Sequence, residues 1–343
     1  MFSLGALSRY TSPNRQHMRQ LLRVVNRCGY APPLGIFIRN HHSRNDLKTV
    51  LIGGPVGAPA HRLYFSRNES PISPWHDIPL AATDGNPGEY NMVCEIPRWS
   101  NAKLEIDTKA PLNPIKHDVK NGKLRYVANV FPYKGYIWNY GALPQTFEDP
   151  NVVDTDTGYV GDNDPIDVLE IGREICAEGS VHRVKALGVL ALVDDSETDW
   201  KVLAIRTDDP LAKKINGIDD LELHMPGLIK ATVDWFTKYK VPDGKPPNRW
   251  AFGGKPKDAA YARGVISSAH ESWRKLVLGP QSNELILTNV SVESSAHYLR
   301  PSHASDAFKA LVSGGPLNVK EQPEDPQAKK NAEWHFVRDD IIQ

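Results

Sequence analysis

The sequence predicts a mainly β protein, a closed sheet or sandwich with helices packed outside it. Short alternating apolar and polar runs, broken by Pro, Gly and Asn, fill the chain from about His61 to Ile205. In two later segments the apolar period lengthens to that of a helix, and the stretch between them is rich in Pro and Gly, as connections are.

The elements follow in chain order. The runs "EYNMVCEIP" (89–97), "AKLEID" (102–107), "KLRYVANVFP" (123–132), "DVLEIG" (167–172), "ALGVLALVD" (186–194) and "WKVLAIR" (200–206) have strand length and pattern. "KNGK" at 120–123 holds the Asn-Gly pair favoured in two-residue hairpins, whose central residues need positive φ. Many short strands at this spacing favour closure of the sheet. "PGLIKATVDWFTKYK" (226–240) puts Leu228, Ile229, Trp235, Phe236 and Tyr239 on one helical stripe. A second helix, over about 257–278, turns Ala262, Val265, Ile266, Ala269, Trp273 and Leu276 to one side. Beyond Gly279 the periodicity is weak and "EQPEDPQAKK" is polar, which predicts a loosely packed tail. The chain thus divides into an arm (1–45), a body (46–279) and a C-terminal extension (280–343).

Composition narrows the class. The chain has 343 residues, 40% hydrophobic and 24% charged, as a globular protein does. Its best apolar run, Ala186 to Val193, falls well short of the roughly 18 residues of a membrane span, so no transmembrane segment is expected. Cys28, Cys94 and Cys176 are far apart in sequence and odd in number, so neither a disulfide framework nor a CxxC site is expected, and a reducing compartment fits. Met1 to Asn45 contains seven arginines and no acid, which leaves 34 of the 41 Lys and Arg against all 41 Asp and Glu, a net of −7 for the remainder. Arg15, Arg19, Arg23 and Arg27 would line one side of a helix, opposite Met18, Leu21, Leu22, Val24 and Val25. That is the pattern of a mitochondrial transit peptide, with processing between Ala31 and Asn45 and a matrix destination. A basic arm for nucleic acid or anionic lipid is the alternative. With no secretory h-region, the sequons at Asn68 and Asn289 are not expected to carry glycans.

The chemistry is signalled by acids. "VGDNDPIDVLEIG" packs Asp162, Asp164 and Asp167 into six residues at the mouth of a strand, and "VDDSETDWK" repeats the density with Asp194, Asp195, Glu197 and Asp199. Like charges this close repel, so a cation is expected among them. Residues two apart share a strand face: Lys103 goes with Glu105, opposite Leu104 and Ile106, and Asp199 with Lys201, opposite Trp200 and Val202, while Arg125 opposes Leu124 and Tyr126. Acids and bases recurring together suit a divalent cation beside a highly charged anion, and magnesium with a phosphate compound is the fitting pair. Zinc is disfavoured because no His or Cys cluster has ligand spacing. An EF-hand is disfavoured because Asp167 occupies the Gly position and the twelfth-position Glu is missing.

Together "EIPRWSNAKLEI" (95–106), "GKLRYV" (122–127), "DNDPIDV" (162–168) and "ETDWKV" (197–202) resemble the eukaryotic type of family I soluble inorganic pyrophosphatase, over about Tyr64 to Gly279. The resemblance implies a five-stranded OB-type closed barrel with flanking helices, hydrolysis of inorganic diphosphate to two phosphates with Mg²⁺, and a homodimer; with the arm, it implies the mitochondrial form. It implies that Asp162, Asp167 and Asp199 hold a first metal, with Asp167 bridging to a second. Asp194, with Asp199, and Glu105 would hold metals arriving with substrate. Asp164 would orient or deprotonate the attacking water, and Tyr136 would give a proton to the departing phosphate. Arg125, Lys201, Tyr239 and Lys240 would hold the phosphoryl groups, with Lys103 and Tyr140 in the same shell and Glu95 in the pocket. Trp99 resembles an intersubunit aromatic.

Read without the resemblance, Tyr133, Tyr136, Trp138 and Tyr140 form an aromatic core stripe of period two, Tyr239 ends a packing stripe, Lys103 and Lys201 are surface lysines, and Trp99 is a core residue. Two other functions stay open: a phosphatase of nucleotides or polyphosphates, and a noncatalytic OB-type binding module. The first finds no P-loop, and the net acidic body is a poor match for nucleic acid.

Overall fold

The computed structural model describes residues 37–40, 46–82, 84–280, 284–313 and 333–338. The helix expected over 15–27, and with it nearly all of the expected transit peptide, lies outside the described residues.

Five strands close on one another: β1 (Glu89–Ile96), β2 (Asn139–Ala142), β3 (Asp167–Glu170), β4 (Val181–Asp194) and β5 (Glu197–Arg206). β1 pairs antiparallel with β2, β2 antiparallel with β3, β3 parallel with β5, β5 antiparallel with β4, and β4 antiparallel with β1, which completes the ring. Among the described residues four α-helices follow: α1 (Ile218–His224), α2 (Leu228–Lys238), α3 (Ala259–Leu278) and α4 (Pro301–Ser313).

The near-continuous apolar runs of β4 and β5 have a structural reason: both faces are covered. Leu190, Leu192, Leu203 and Ile205 pack inside the ring with Trp138, Trp235 and Phe236. Their alternates Val189, Ala191, Val202 and Ala204 lie under Ala262, Ile266 and Ala269 of α3. Burying each such Leu or Ile contributes about 1.5–3 kcal/mol. α3 begins at Asp258, whose carboxylate accepts a hydrogen bond from Tyr261 N at 2.8 Å, satisfying one free N–H of the first turn. Of its predicted inward residues, Val265 and Leu276 are half-buried, and Val277 is buried in the main core.

Several expectations need correction. Phe37–Asn40, inside the expected arm, pairs with Leu47–Ile52, which pairs with Arg62–Arg67, so strands begin well before His61. The extension is not loose where it is described. Leu285 and Leu287 are buried, Ile286 N donates to Thr108 O at 2.8 Å, and the Asp77 carboxylate accepts from Val290 N at 2.8 Å and Ser291 Oγ at 2.7 Å. "AKLEID" is strand only over Leu104–Ile106, and "KLRYV" only over Lys123–Leu124. "KNGK" does turn as expected, with Asn121 and Gly122 at φ 53° and 73°. Cys94 and Cys176, distant in sequence, are brought together inside the molecule. No helix among the described residues is long and apolar enough to cross a membrane.

Candidate active site

Ring register brings the acids together. Asp167, the first residue of β3, lies directly opposite Lys201 of β5. Asp199 precedes Lys201 by two, on the face that continues inward as Leu203 and Ile205. The site is therefore the open end of the ring interior, charged at the rim and apolar at the floor. Lys201 is 2% exposed, contacts Asp167, and lies 2.5 Å from Asp199 and 3.2 Å from the Tyr140 hydroxyl. Tyr140 in turn donates to Asp167.

The turn joining β4 to β5 shapes a second edge. Asp195 and Ser196 hold φ of 45° and 73°, the double positive φ of a tight hairpin, without glycine. Asp194, beside the turn, accepts from Lys240 at 2.5 Å and from the Tyr239 hydroxyl at 3.5 Å, and both partners come from the end of α2. Asp195 sits 3.3 Å from Lys245 and 3.8 Å from Lys240.

The third edge is built from irregular backbone. Lys103, Asp118 and Arg125 bond one another through main chain: Lys103 N to Arg125 O at 3.0 Å, Arg125 N to Asp118 O at 2.9 Å, and Asp118 N to Lys103 O at 2.9 Å. Their side chains converge likewise, with Arg125 2.6 Å and Lys103 3.5 Å from Asp118, and Lys103 against Glu105. Glu95 points from β1 beneath them and accepts Ile106 N at 2.7 Å.

The resulting cavity of about 280 Å³ is lined by all fourteen residues singled out from the sequence: Glu95, Lys103, Glu105, Arg125, Tyr136, Tyr140, Asp162, Asp164, Asp167, Asp194, Asp199, Lys201, Tyr239 and Lys240. Lys120, Asp195 and Glu197 also line it, so nine carboxylates face five cations.

Excess negative charge in a buried site has a titration signature. Burial, then the neighbouring Asp199, Asp164 and Asp167, push Asp162 well above the usual carboxylate range. Asp164 is raised to about 7 by burial and by Glu105, partly offset by Lys103. Asp199 also rises to about 7, from burial, with Lys201 opposing and Asp167 adding. Burial and Asp167 raise Glu95 well above its ordinary value. For Lys201 burial works against the charge, but Asp167 and Asp199 outweigh it and hold the ammonium protonated. Tyr136 is pushed up to about 12 by burial, with Lys103 and Arg125 pulling the other way.

Sequence reasoning missed Glu148 and Asp118. Glu148 is 5% exposed; its Oε1 accepts Trp200 N at 3.0 Å, while Oε2 is buried without a hydrogen-bond partner. Its backbone clamps the acidic loop, through Glu148 N to Asp164 O at 2.9 Å and Asn163 N to Glu148 O at 2.9 Å. Burial, then Asp162 and Asp199, raise its proton affinity well above the ordinary value. Ligand oxygens of Glu148, Asp162 and Asp199 lie within 4.8 Å of one another. An all-oxygen donor set with an unpartnered buried carboxylate oxygen fits a hard divalent cation. Trp99 is 52% exposed, so it is not a core residue, and the Arg98 guanidinium stands 5.7 Å from its ring centroid.

Comparison with known proteins agrees with this geometry. The family model described as inorganic pyrophosphatase matches residues 92–274. A Drosophila melanogaster protein named inorganic pyrophosphatase is 48% identical over 286 residues, covering 83% of this chain and 82% of the relative. A Bos taurus protein of the same name is 54% identical over 255 residues, covering 74% and 86%. Among solved structures, the inorganic pyrophosphatase from Schistosoma japonicum aligns with a TM-score of 0.72 at 46% identity, covering 84% of this chain and 100% of that one.

Proposed function

The chain belongs to the inorganic pyrophosphatase family, and from that premise we propose that its charged cavity hydrolyses inorganic diphosphate to two phosphates with Mg²⁺ as the metal. Its five-stranded ring is the OB-type barrel of that family. The observation that carries the reading is the meeting of fourteen chemically matched side chains from separate segments in one cavity.

Asp162, Asp167, Asp199, Asp194 and Glu105 would hold the metal ions, with Glu148 supplying a further oxygen among Asp162 and Asp199. Bound there, Mg²⁺ supplies positive charge to the phosphoryl oxygens and lowers the pKa of a coordinated water. Lys201, Lys240, Arg125 and Lys103, now neutralised by carboxylates, carry the charge complement of two phosphoryl groups. Tyr140 and Tyr239 add hydroxyls at the same rim, and Glu95 limits the pocket below. Asp164 faces the same cavity beside Asp162 and Asp167 and is placed to take a proton from water. Tyr136 keeps its phenol proton at neutral pH and can give it to the departing phosphate.

The assay is phosphate release from diphosphate with and without Mg²⁺, with ATP in parallel. Release is expected from diphosphate only when Mg²⁺ is present, and much more slowly from ATP; equal turnover of the two would remove the diphosphate assignment. The acid-free, arginine-rich first 45 residues support a mitochondrial, matrix location. Residues 1–45 fused to a fluorescent protein are expected to carry it into mitochondria, and a diffuse cytosolic signal would sink that part. A homodimer is supported by exposed aromatic side chains around Trp99.

A further inference from the structure

Two thiols lie outside the cavity and have no part in the chemistry above. Cys94, on β1, is 0% exposed, and Cys176, on the connection from β3 to β4, is 2% exposed. Both are free, and their side chains interact with one another inside the molecule. Main chain keeps them in register: Cys94 N donates to Ser180 O at 2.9 Å and Gly179 N to Cys94 O at 2.7 Å, so the connection is clamped to both sides of Cys94. Cys176 N is anchored to Asn139 Oδ1 at 2.9 Å. Although Cys176 is buried, Glu174, Ile175 and Ala177 beside it are exposed, so its sulfur lies just under the surface.

We propose that Cys94 and Cys176 are a reversible oxidation site that closes to a disulfide when the protein meets a hydroperoxide. Arg206 Nη1 approaches Cys176 Sγ at 3.9 Å with His182 nearby, so donors gather at that sulfur. The Cys94 thiol and these donors hold Cys176 down to about 5, while the Cys94 thiol, bonded to Cys176 and buried, is pushed well up. With the Arg206 guanidinium beside it and exposed residues on either side, Cys176 is placed as the nucleophile and Cys94 as the resolving thiol. The Cys176 sulfur attacks a peroxide oxygen; the O–O bond breaks, the leaving oxygen takes a proton, and a sulfenic acid remains. The Cys94 sulfur then attacks that sulfur; the S–S bond forms, the S–O bond breaks, and water leaves with the Cys94 proton. Two thiols lose two electrons to the hydroperoxide, which becomes an alcohol, or water if it began as hydrogen peroxide, plus one water. Among the described residues the side chains close enough to share a metal are Glu148, Asp162 and Asp199, so the cysteine pair is not read as a metal site.

A covalent S–S distance of about 2.05 Å is shorter than any contact between two free thiols, so closure draws β1 and the connection together. Glu95, next to Cys94, lines the cavity, and Asn139, bonded to Cys176 N, precedes Tyr140. Oxidation is therefore expected to lower phosphate release, and a thiol reductant to restore it.

The deciding readout is covalent and independent of activity. The native full chain is treated with hydrogen peroxide, free thiols are alkylated, and the digest is mapped by mass without reduction. A Cys94–Cys176 cross-linked peptide, two hydrogens lighter than the sum and released by dithiothreitol, is expected. Full alkylation of both residues after treatment would overturn the proposal, as would Cys176 found only as sulfinic acid or Cys94 joined only to Cys28. In Cys176→Ser, Cys94 should stay alkylatable at the same dose; the wild-type map decides alone if that variant does not fold.

Discussion

Asp164 differs from the other acids of its loop in what its surroundings do to it. Asp162 is pressed on by three neighbouring aspartates, whereas Asp164 is raised to about 7 by burial and Glu105 with Lys103 moderating. Asp164 also faces the cavity with the acids assigned to the metals, which places its carboxylate where a water held there could give up a proton. Replacing it with Asn keeps shape and removes the proton acceptor. Asp164→Asn is expected to lower kcat by roughly 10²–10⁴-fold, the range of a lost acid–base group, while retaining the Mg²⁺-dependent rise in melting temperature. A variant keeping more than about a tenth of the wild-type rate would not fit a proton-transfer role worth at least ~10².

At the scale of elements, α3 is fastened to the rest by an aromatic stack. Trp75, His76, Trp273 and His270 follow one another with ring centroids 4.3, 6.2 and 5.3 Å apart. Trp273 Nε1 donates to His76 Nδ1 at 2.9 Å, which requires a lone pair there, and Nε2 faces Ile286 O at 3.3 Å. His76 is thus neutral in the fold, and burial holds it down to about 3. In the unfolded chain it protonates near 6.5, so between 6.5 and 3 the unfolded state binds the extra proton and stability falls as pH drops. This histidine contributes up to ~1.4 kcal/mol per pH unit within that window. Denaturant unfolding at several pH values is expected to give a shallower slope for His76→Gln between pH 6 and 4, whatever its absolute stability, and an unchanged slope would remove His76 as the source. The sheet strands were legible because their charged and apolar residues alternate, as at Asp199, Trp200, Lys201 and Val202. Glu148 was not, because what makes it part of the site is backbone pairing with Asn163 and Asp164, which no local pattern encodes. The same holds for the extension: Ile286 and Val290 are held by Thr108 and Asp77, far away in sequence. Cys94 and Cys176 read as unrelated until ring closure clamps their segments together.

For the whole molecule, the feature that a single copy leaves unexplained is an exposed aromatic surface. Phe131 is 54% exposed, Trp334 49%, Phe336 75% and Trp99 52%. The first three form one group: Asn129–Val130 pairs in parallel with Trp334–His335, Phe131 N donates to His335 O at 2.9 Å, and the Phe131 ring lies 5.6 Å from Trp334 and 5.3 Å from Phe336. Trp99 joins that side because Asn129 Oδ1 bridges Asn101 Nδ2 at 2.8 Å and Gly135 N at 2.9 Å. Large aromatics left in water cost free energy that a partner surface recovers, and they are enriched at subunit interfaces. The net charge of −7 over residues 46–343 disfavours close approach except where charge is sparse, which points to the same patch. The patch also reaches the cavity, since Tyr136 N donates to Ser100 O at 3.0 Å and Tyr136 O accepts Trp99 N at 2.6 Å. A second copy seated there would brace the wall that carries Tyr136. Sedimentation equilibrium is expected to give twice the chain mass for the wild type and a single-chain mass for Trp99→Ala combined with Trp334→Ala, with the helical circular dichroism unchanged. A wild-type chain that sediments as a monomer at micromolar concentration would leave the aromatic surface without the occupant assigned to it, and the bracing of Tyr136 would then rest on its own backbone bonds alone.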